Sequence, residues 1–198
     1  MKKVTLLLMM LLSCSSVLLG QESAKPYDDR DAYEVYGAII GDEWPISAAK
    51  ATRLVLQAET TTFPGFGENK LCLKPAPGDE PTLGPLLTSY TKANEKPRVL
   101  QKNFKLDIPY ELVSRSELDK IFAPNSDGWK PFNTKYPNSG GFIHMSAVGY
   151  NADKTLALVY MGHWCGGLCG GGTHHLLEKR AGNWVEIPWR GETCSWAS

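Results

Sequence analysis

The chain has 198 residues, 42% of them hydrophobic, and its 21 lysines and arginines balance 21 aspartates and glutamates. Because there is no basic excess, nothing electrostatic favours nucleic acid or an anionic membrane surface, and we expect neither as a partner. Five of the six tryptophans follow residue 128, so the second half of the chain is expected to supply much of the core.

The first residues read as an export signal. Met1, Lys2 and Lys3 form a short positive region, and the uncharged run from Val4 to Leu12 is almost entirely apolar. This run is shorter than the roughly 20 apolar residues that cross a membrane, and no later stretch reaches that length without a charge or a proline. We therefore expect an exported chain without a transmembrane segment, placed in the periplasm, on the outer membrane as a lipoprotein, or outside the cell.

Two processing sites fit this signal. The letters LLSC resemble a lipobox, which would remove residues 1–13 and attach lipid to Cys14. The letters LLG, which end at residue 20, would instead allow ordinary cleavage of residues 1–20. Both routes stay open, and lipid on Cys14 would be the one membrane contact. The remainder, 21–198, has the usual size of a single domain.

Three short helices are predicted before residue 125. The first follows Asp28, Asp29 and Asp31, which supply acidic caps, and ends at Gly41, because its apolar residues recur at spacings of three and four. Pro85 suits the first turn of a second helix. Ser114 and Glu117 have the spacing of a capping box, which predicts a third helix directly after them.

Alternating apolar residues predict one strand at 51–61 and a run of four strands nearer the C-terminus. The four strands cover Phe142–Tyr150, Thr155–Trp164, Thr173–Lys179 and Trp184–Trp189. Residues 125–141 are expected to form a loop. The predicted fold is α+β, with short N-terminal helices packed on a C-terminal four-stranded antiparallel β-meander. The strand at 51–61 is a candidate for the same sheet.

The connection CGGLCGGG at 165–172 is the most specific segment of the chain. Glycine suits positions where the backbone folds tightly, and two cysteines four residues apart can bond only if the chain doubles back. In an exported protein the favoured interpretation is one disulfide between Cys165 and Cys169 and another between Cys72 and Cys194. Four cysteines allow three connectivities, so the pairing is open.

A second interpretation of this segment is a copper or zinc site. His163 stands two residues before Cys165, and His174 and His175 follow Cys169. Imidazole and thiolate groups suit both metals. Neighbouring residues of a strand face opposite ways, so only one of the two later histidines can join. The segment resembles the dinuclear copper motif of cytochrome oxidase subunit II, but the histidine falls one residue late and the expected methionine is missing.

A third interpretation is thiol redox chemistry, with Cys165 attacking as a thiolate whose pKa His163 lowers. The cysteines have three residues between them instead of two, and a strand rather than a helix is predicted to follow. His144, alone on its predicted strand, is more typical of a hydrogen-bonded structural histidine than of a catalyst. No nucleotide-binding loop or hydrolase elbow is present in the sequence. Enzymatic activity is left undecided.

The segments ALVY, CGGLCG, LLEK, GNWVE and CSW in the second half resemble a group of uncharacterised exported bacterial proteins. The likeness covers about half of the chain. It implies export and a shared fold, and it implies no activity, cofactor or partner.

The leading functional hypothesis is a non-enzymatic domain that binds a ligand or a protein and needs no cofactor. Its expected contact residues are Trp164, Gly166, Gly167 and Leu168, together with nearby aromatic side chains. The alternative is a copper, zinc or thiol-redox protein that uses the cysteine pair and histidines described above. The sequence leaves the identity of the partner unknown.

Overall fold

The computed structural model describes residues 24–43, 51–62, 72–124 and 126–198. The predicted signal at 1–20 and its Cys14 lie outside these residues. Within the described ranges, a mixed sheet of eight strands carries four helices, and two small two-stranded sheets lie apart from it.

The elements are as follows. The helices are α1 (Arg30–Glu43), α2 (Glu80–Ala93), α3 (Arg115–Ile121) and α4 (Trp129–Lys135). The strands in the first half are β1 (Lys25–Pro26), β2 (Leu54–Gln57), β3 (Lys74–Pro75), β4 (Arg98–Val99) and β5 (Tyr110–Val113). The later strands are β6 (Phe142–Met145), β7 (Gly149–Tyr150), β8 (Leu156–Gly166), β9 (Cys169–Arg180), β10 (Asn183–Ile187), β11 (Gly191–Glu192) and β12 (Ser195–Ala197).

The main sheet has the order β10-β9-β8-β6-β2-β5, and two short strands extend it, with β12 beside β9 and β7 beside β8. The strands from β10 to β6 are antiparallel, whereas β2 runs parallel to both β5 and β6. Small two-stranded sheets join β1 to β4 and β3 to β11. The parallel pairs bring together segments that are far apart in the sequence, such as Leu56 and Ile143.

The predicted four-stranded antiparallel meander with N-terminal helices is therefore wrong. The sheet is mixed and has eight strands, and α3 and α4 lie in the middle of the chain. Its parallel part was missed because parallel partners are joined by long crossovers, which leave no local turn signal. The predicted loop at 125–141 contains α4, and Pro85 lies inside α2 rather than in its first turn.

Because successive strand residues point to opposite faces, the sheet has two apolar faces. On one face α1 packs over β2, β6, β8 and β9 through residues such as Tyr36, Ile39, Val159 and Leu177. The opposite face has two separate clusters. Leu86 and Tyr90 of α2 cover Leu158 and Leu176, whereas Leu118 and Phe132 of α3 and α4 cover Val55 and Val113. The sheet is thus enclosed by helices on both sides.

The contact between α2 and β7 depends on Gly149. A Cβ atom at this position would lie 2.4 Å from the Cα of Tyr90 and 2.6 Å from its backbone nitrogen. Backbone cannot give way as a side-chain tip can, so Gly149→Ala is expected to lower the free energy of unfolding by about 3 kcal/mol. Urea unfolding followed by circular dichroism measures the loss.

The matched control is Gly41→Ala in α1, where no heavy atom of the described residues outside this helix lies within 4 Å of the added Cβ. This substitution is expected to raise the free energy of unfolding by about 0.5 to 1 kcal/mol, because alanine favours the helix. A similar effect of both substitutions would contradict the close approach of α2 and β7.

Candidate functional site

A cleft of about 500 Å³ lies on the face of the sheet that carries α3 and α4. Its lining comes from the end of β2, from α3, from the start of α4, from β6 and from the end of β8. The lining residues are aromatic (Phe122, Trp129, Phe142, Trp164), polar or charged (Gln57, Thr61, Arg115, Asp119, His144), or small and aliphatic (Leu118, Gly166, Gly167). This volume and this mixed lining are typical of sites for small molecules.

The aromatic side chains of the cleft support one another. Trp129 and Phe142 are stacked with ring centroids 6.3 Å apart, and Phe122 meets Trp129 edge to face at 4.8 Å. Trp164 is 37% exposed, an unusual position for so large an apolar side chain. The packed rings of Phe122, Trp129 and Phe142 form one wall of the cleft. The indole of Trp164 adds exposed apolar surface to it.

His144 holds Trp164 in place. The indole Nε1 of Trp164 donates a hydrogen bond to His144 Nε2 at 3.2 Å, so the ring proton belongs on Nδ1, which lies 3.2 Å from Thr61 Oγ1. Burial lowers the pKa of His144 to about 4, and the imidazole is therefore neutral at neutral pH. Both ring nitrogens are engaged, which suits a structural histidine.

The charged groups of the cleft come from α3. Ser114 caps this helix by accepting a hydrogen bond from the backbone of Glu117, which confirms the N-cap half of the predicted capping box. The carboxylate of Glu117 does not reach back, because it accepts from Tyr136 and pairs with Lys135 instead. Arg115 and Asp119 follow one turn apart, so they share one face of the helix at the cleft. Both are exposed, and neither forms an ion pair within the described ranges. The cleft therefore presents a donor and an acceptor of opposite charge.

Two glycines leave room for the side chains that lie on the sheet. A Cβ at Gly162 would come within 2.4 Å of His144 Nε2, and one at Gly172 within 2.3 Å of Tyr160 Oη. Both glycines are paired strand residues, opposite each other on β8 and β9. Their bare backbone lets His144 and Tyr160 approach the sheet closely.

The aromatic surface continues from Trp164 to the end of the chain. β12 pairs with β9 and places Trp196 against Trp164, with ring centroids 4.4 Å apart. The Nε1 of Trp196 donates to Tyr160 Oη at 2.7 Å. The indole of Trp164 is thereby held by two neighbours, the imidazole of His144 and the indole of Trp196.

The structure places the four predicted contact residues in two different environments. Trp164, Gly166 and Gly167 line the cleft. Leu168 does not line it; it is 92% exposed at the tip of the hairpin. The predicted long loop is mostly strand, since β8 and β9 continue into it and only residues 167–168 form the turn.

The four cysteines of the described ranges lie in two bonded pairs. Cys165 pairs with Cys169 across the hairpin turn, with their Cα atoms 5.0 Å apart. Cys72 pairs with Cys194, with a Cα separation of 5.9 Å. The first pair shapes the rim of the cleft, and the second ties the segment beside β3 to the segment beside β12.

The predicted metal ligands are not brought together. His163 Nε2 lies 2.8 Å from the carbonyl of Gly140, and His174 lies beside Cys194 rather than beside Cys165 and Cys169. His174 and His175 point to opposite faces, as expected for neighbours on a strand. His175 Nδ1 lies 2.9 Å from Glu186 Oε1.

Several cleft residues were missed from the sequence. Gln57, Thr61, Arg115 and Asp119 belong to segments whose local patterns indicate a strand or a helix and nothing more. Their convergence depends on the parallel pairing of β2 with β6. The spacing of Trp129, Phe132 and Tyr136 by three and four was the available signal for α4.

No helix in the described part of the chain combines the length and the apolar character needed to cross a membrane. Comparison of the chain with protein-family models, curated protein sequences and solved structures gives no significant match. The function is therefore argued from the geometry of the cleft.

Proposed function

We propose that the chain is an exported binding domain without catalytic activity, and that its ligand site is the aromatic cleft. The observation that carries this proposal is a cleft of about 500 Å³ in which the open indole of Trp164 faces polar and charged side chains. A concave, largely apolar surface with a few convergent polar groups is the usual form of a small-molecule site.

The cleft suits a ligand with one apolar face and several hydroxyl or amide groups, as in a saccharide. A flat indole packs well against the C–H face of a sugar ring. Arg115 supplies donors, Asp119 supplies acceptors, and Gln57 supplies both. Because the two charges at the cleft are opposite, a neutral polyhydroxylated molecule is favoured over an ion.

The state of His144 supports binding rather than acid-base catalysis. A general base near neutral pH needs a pKa near that pH and a free nitrogen facing the substrate. Burial lowers the pKa of His144 to about 4, and its two nitrogens face Thr61 and Trp164. This histidine orients the indole that receives the ligand.

The two cysteine pairs support export. Disulfides persist in the periplasm and outside the cell, whereas cytosolic thiols are kept reduced. An oxidising compartment favours such bonds, and two are present, Cys72–Cys194 and Cys165–Cys169. Whether Cys14 carries lipid is decided by the intact mass of the processed protein.

A saccharide panel tests the proposal. Chitotriose, cellotriose and maltotriose are titrated into ¹⁵N-labelled protein, and at least one is expected to shift the amide signals of Trp164, Gly166 and Gly167. Trp164→Ala removes the open indole and is expected to weaken the binding at least about tenfold, equivalent to about 1.4 kcal/mol.

The matched control is Trp189→Ala. Trp189 is also partly exposed, but its indole donates to the carbonyl of Glu192 away from the cleft, so saccharide affinity should not change. If no saccharide shifts the cleft amides, or if Trp164→Ala binds as well as the parent protein, the cleft is not a saccharide site.

A further inference from the structure

A second group of side chains lies on the face of the sheet covered by α2, apart from the cleft. Cys72 and Cys194 form a disulfide there, and His174 Nδ1 lies 3.8 Å from Cys194 Sγ. The two sulfur atoms and one imidazole nitrogen all lie within 4.8 Å of one another. Three donor atoms this close can bind one metal ion once the sulfurs are no longer bonded to each other.

His174 is held in a form that can bind metal. Its ring lies between Tyr90 and Tyr160, with centroid distances of 5.7 Å and 5.3 Å, and the residue is 8% exposed. Metal binding at Nδ1 requires a neutral ring whose proton is on Nε2. Its Nε2 is buried without a hydrogen-bond partner in the described ranges.

We propose that Cys72, Cys194 and His174 form a binding site for one Cu⁺ ion when the disulfide is reduced. Two thiolates and one imidazole are soft and intermediate ligands, a set that selects Cu⁺. Structural zinc sites take four protein ligands, and three are present in this group. The site differs from the one predicted around Cys165 and Cys169.

A dithiol can supply the electrons and protons that reduce the disulfide between Cys72 and Cys194. The dithiol gives two electrons and two protons, the bond between Cys72 and Cys194 breaks, two thiols form, and the dithiol becomes a cyclic disulfide. Cu⁺ then binds the two sulfurs and His174 Nδ1, and the two thiol protons pass to solvent. Both cysteines are partly exposed, which gives the reductant and the metal a path to the sulfurs.

The bound ion would replace one cross-link by another. The disulfide joins residues 122 positions apart, and a metal held by both sulfurs closes the same loop. Reduction alone is therefore expected to lower the thermal unfolding temperature, and Cu⁺ is expected to restore most of the loss. Adding Cu⁺ to the oxidised protein should leave the unfolding temperature unchanged.

The test uses the full chain with Cys14→Ala, Cys165→Ala and Cys169→Ala, so that the remaining thiols are those of Cys72 and Cys194. After reduction with dithiothreitol and its removal without oxygen, Cu⁺ is titrated in competition with bathocuproine disulfonate. We expect one Cu⁺ per chain and protection of both thiols from iodoacetamide.

Substitution of single ligands makes the test specific. His174→Gln is expected to weaken Cu⁺ binding at least about tenfold, and Cys194→Ala to abolish stoichiometric binding. His163→Gln is the matched control and should leave the affinity unchanged, because its Nε2 lies against the carbonyl of Gly140.

One measurement is independent of how the histidine variant folds. X-ray absorption at the copper edge of the reduced, loaded protein is expected to show two sulfur ligands and one nitrogen ligand. Failure of the reduced protein to bind Cu⁺, or a copper environment without nitrogen, would overturn the proposal.

Discussion

Replacing Cys72 and Cys194 together by alanine is expected to lower the free energy of unfolding by about 5 kcal/mol. The two residues are 122 positions apart, so their bond removes a large part of the loop entropy of the unfolded chain. It also holds the segment that forms β3 close to β11, its short partner strand. Urea unfolding of the oxidised parent and of the double variant measures the difference.

Removal of the other disulfide is the matched comparison. Cys165 and Cys169 are 4 positions apart, and the same chain-entropy model gives about 2 kcal/mol for the double alanine variant. Equal losses in the two double variants would show that loop entropy is not the source of the stability. The smaller ring is expected to matter more for the shape of the cleft rim, visible as a lower saccharide affinity.

Acidification from pH 7 to pH 5 is expected to lower the free energy of unfolding by about 4 kcal/mol, with about 2 kcal/mol from each of two histidines. Burial lowers the pKa of both His144 and His174 to about 4, against an ordinary value of 6.5. Between these values the unfolded chain binds protons that the folded chain does not. Stability is therefore complete above pH 6.5 and falls as the pH drops towards 4.

Guanidinium unfolding at pH 7, 6 and 5 tests this prediction. His144→Gln and His174→Gln should each remove a large part of the slope, and the double variant should keep only the contribution of His163, whose pKa burial also lowers. Aspartates and glutamates with ordinary pKa values stay ionised above pH 5, so they contribute little to it. An unchanged slope in the double variant would mean that neither histidine is the source.

Much of the local structure could be predicted from the sequence. α1 was predictable from apolar residues at helical spacing, and α3 from the capping pair of Ser114 and Glu117. The long strands β8 and β9 were predicted from alternation, although both extend further into the glycine segment than expected. Glycine suggested a loop at 165–172, whereas the structure places Gly172 inside β9, where its bare backbone admits the side chain of Tyr160.

The arrangement of the elements could not be predicted in the same way. β5 has four residues, and its partner β2 precedes it by a long crossover, so no local signal relates Val55 to Glu111. The cleft follows from that pairing. Trp164 could be proposed as a contact residue because it is an aromatic beside the glycine turn, but Arg115 could not be connected to it.

The same limit explains why His174 lies beside a different cysteine from the ones that the sequence indicated. His174 is close in sequence to Cys169, which made the two look like a pair of ligands. In the structure the strand carries His174 away from the hairpin tip and under α2, where Cys194 returns from the end of the chain. Proximity in sequence was a poor guide because an extended strand moves about 3.3 Å along its axis with each residue.

The position of α1 determines when the native core can form. This helix belongs to the first part of the chain, yet Tyr36 and Ile39 pack in one cluster with Val159, Leu177 and Trp184 of the last three long strands. During vectorial synthesis the helix lacks a large part of the sheet that it covers until β8, β9 and β10 have emerged. The packing of α1 is therefore completed only after the last long strands have been synthesised.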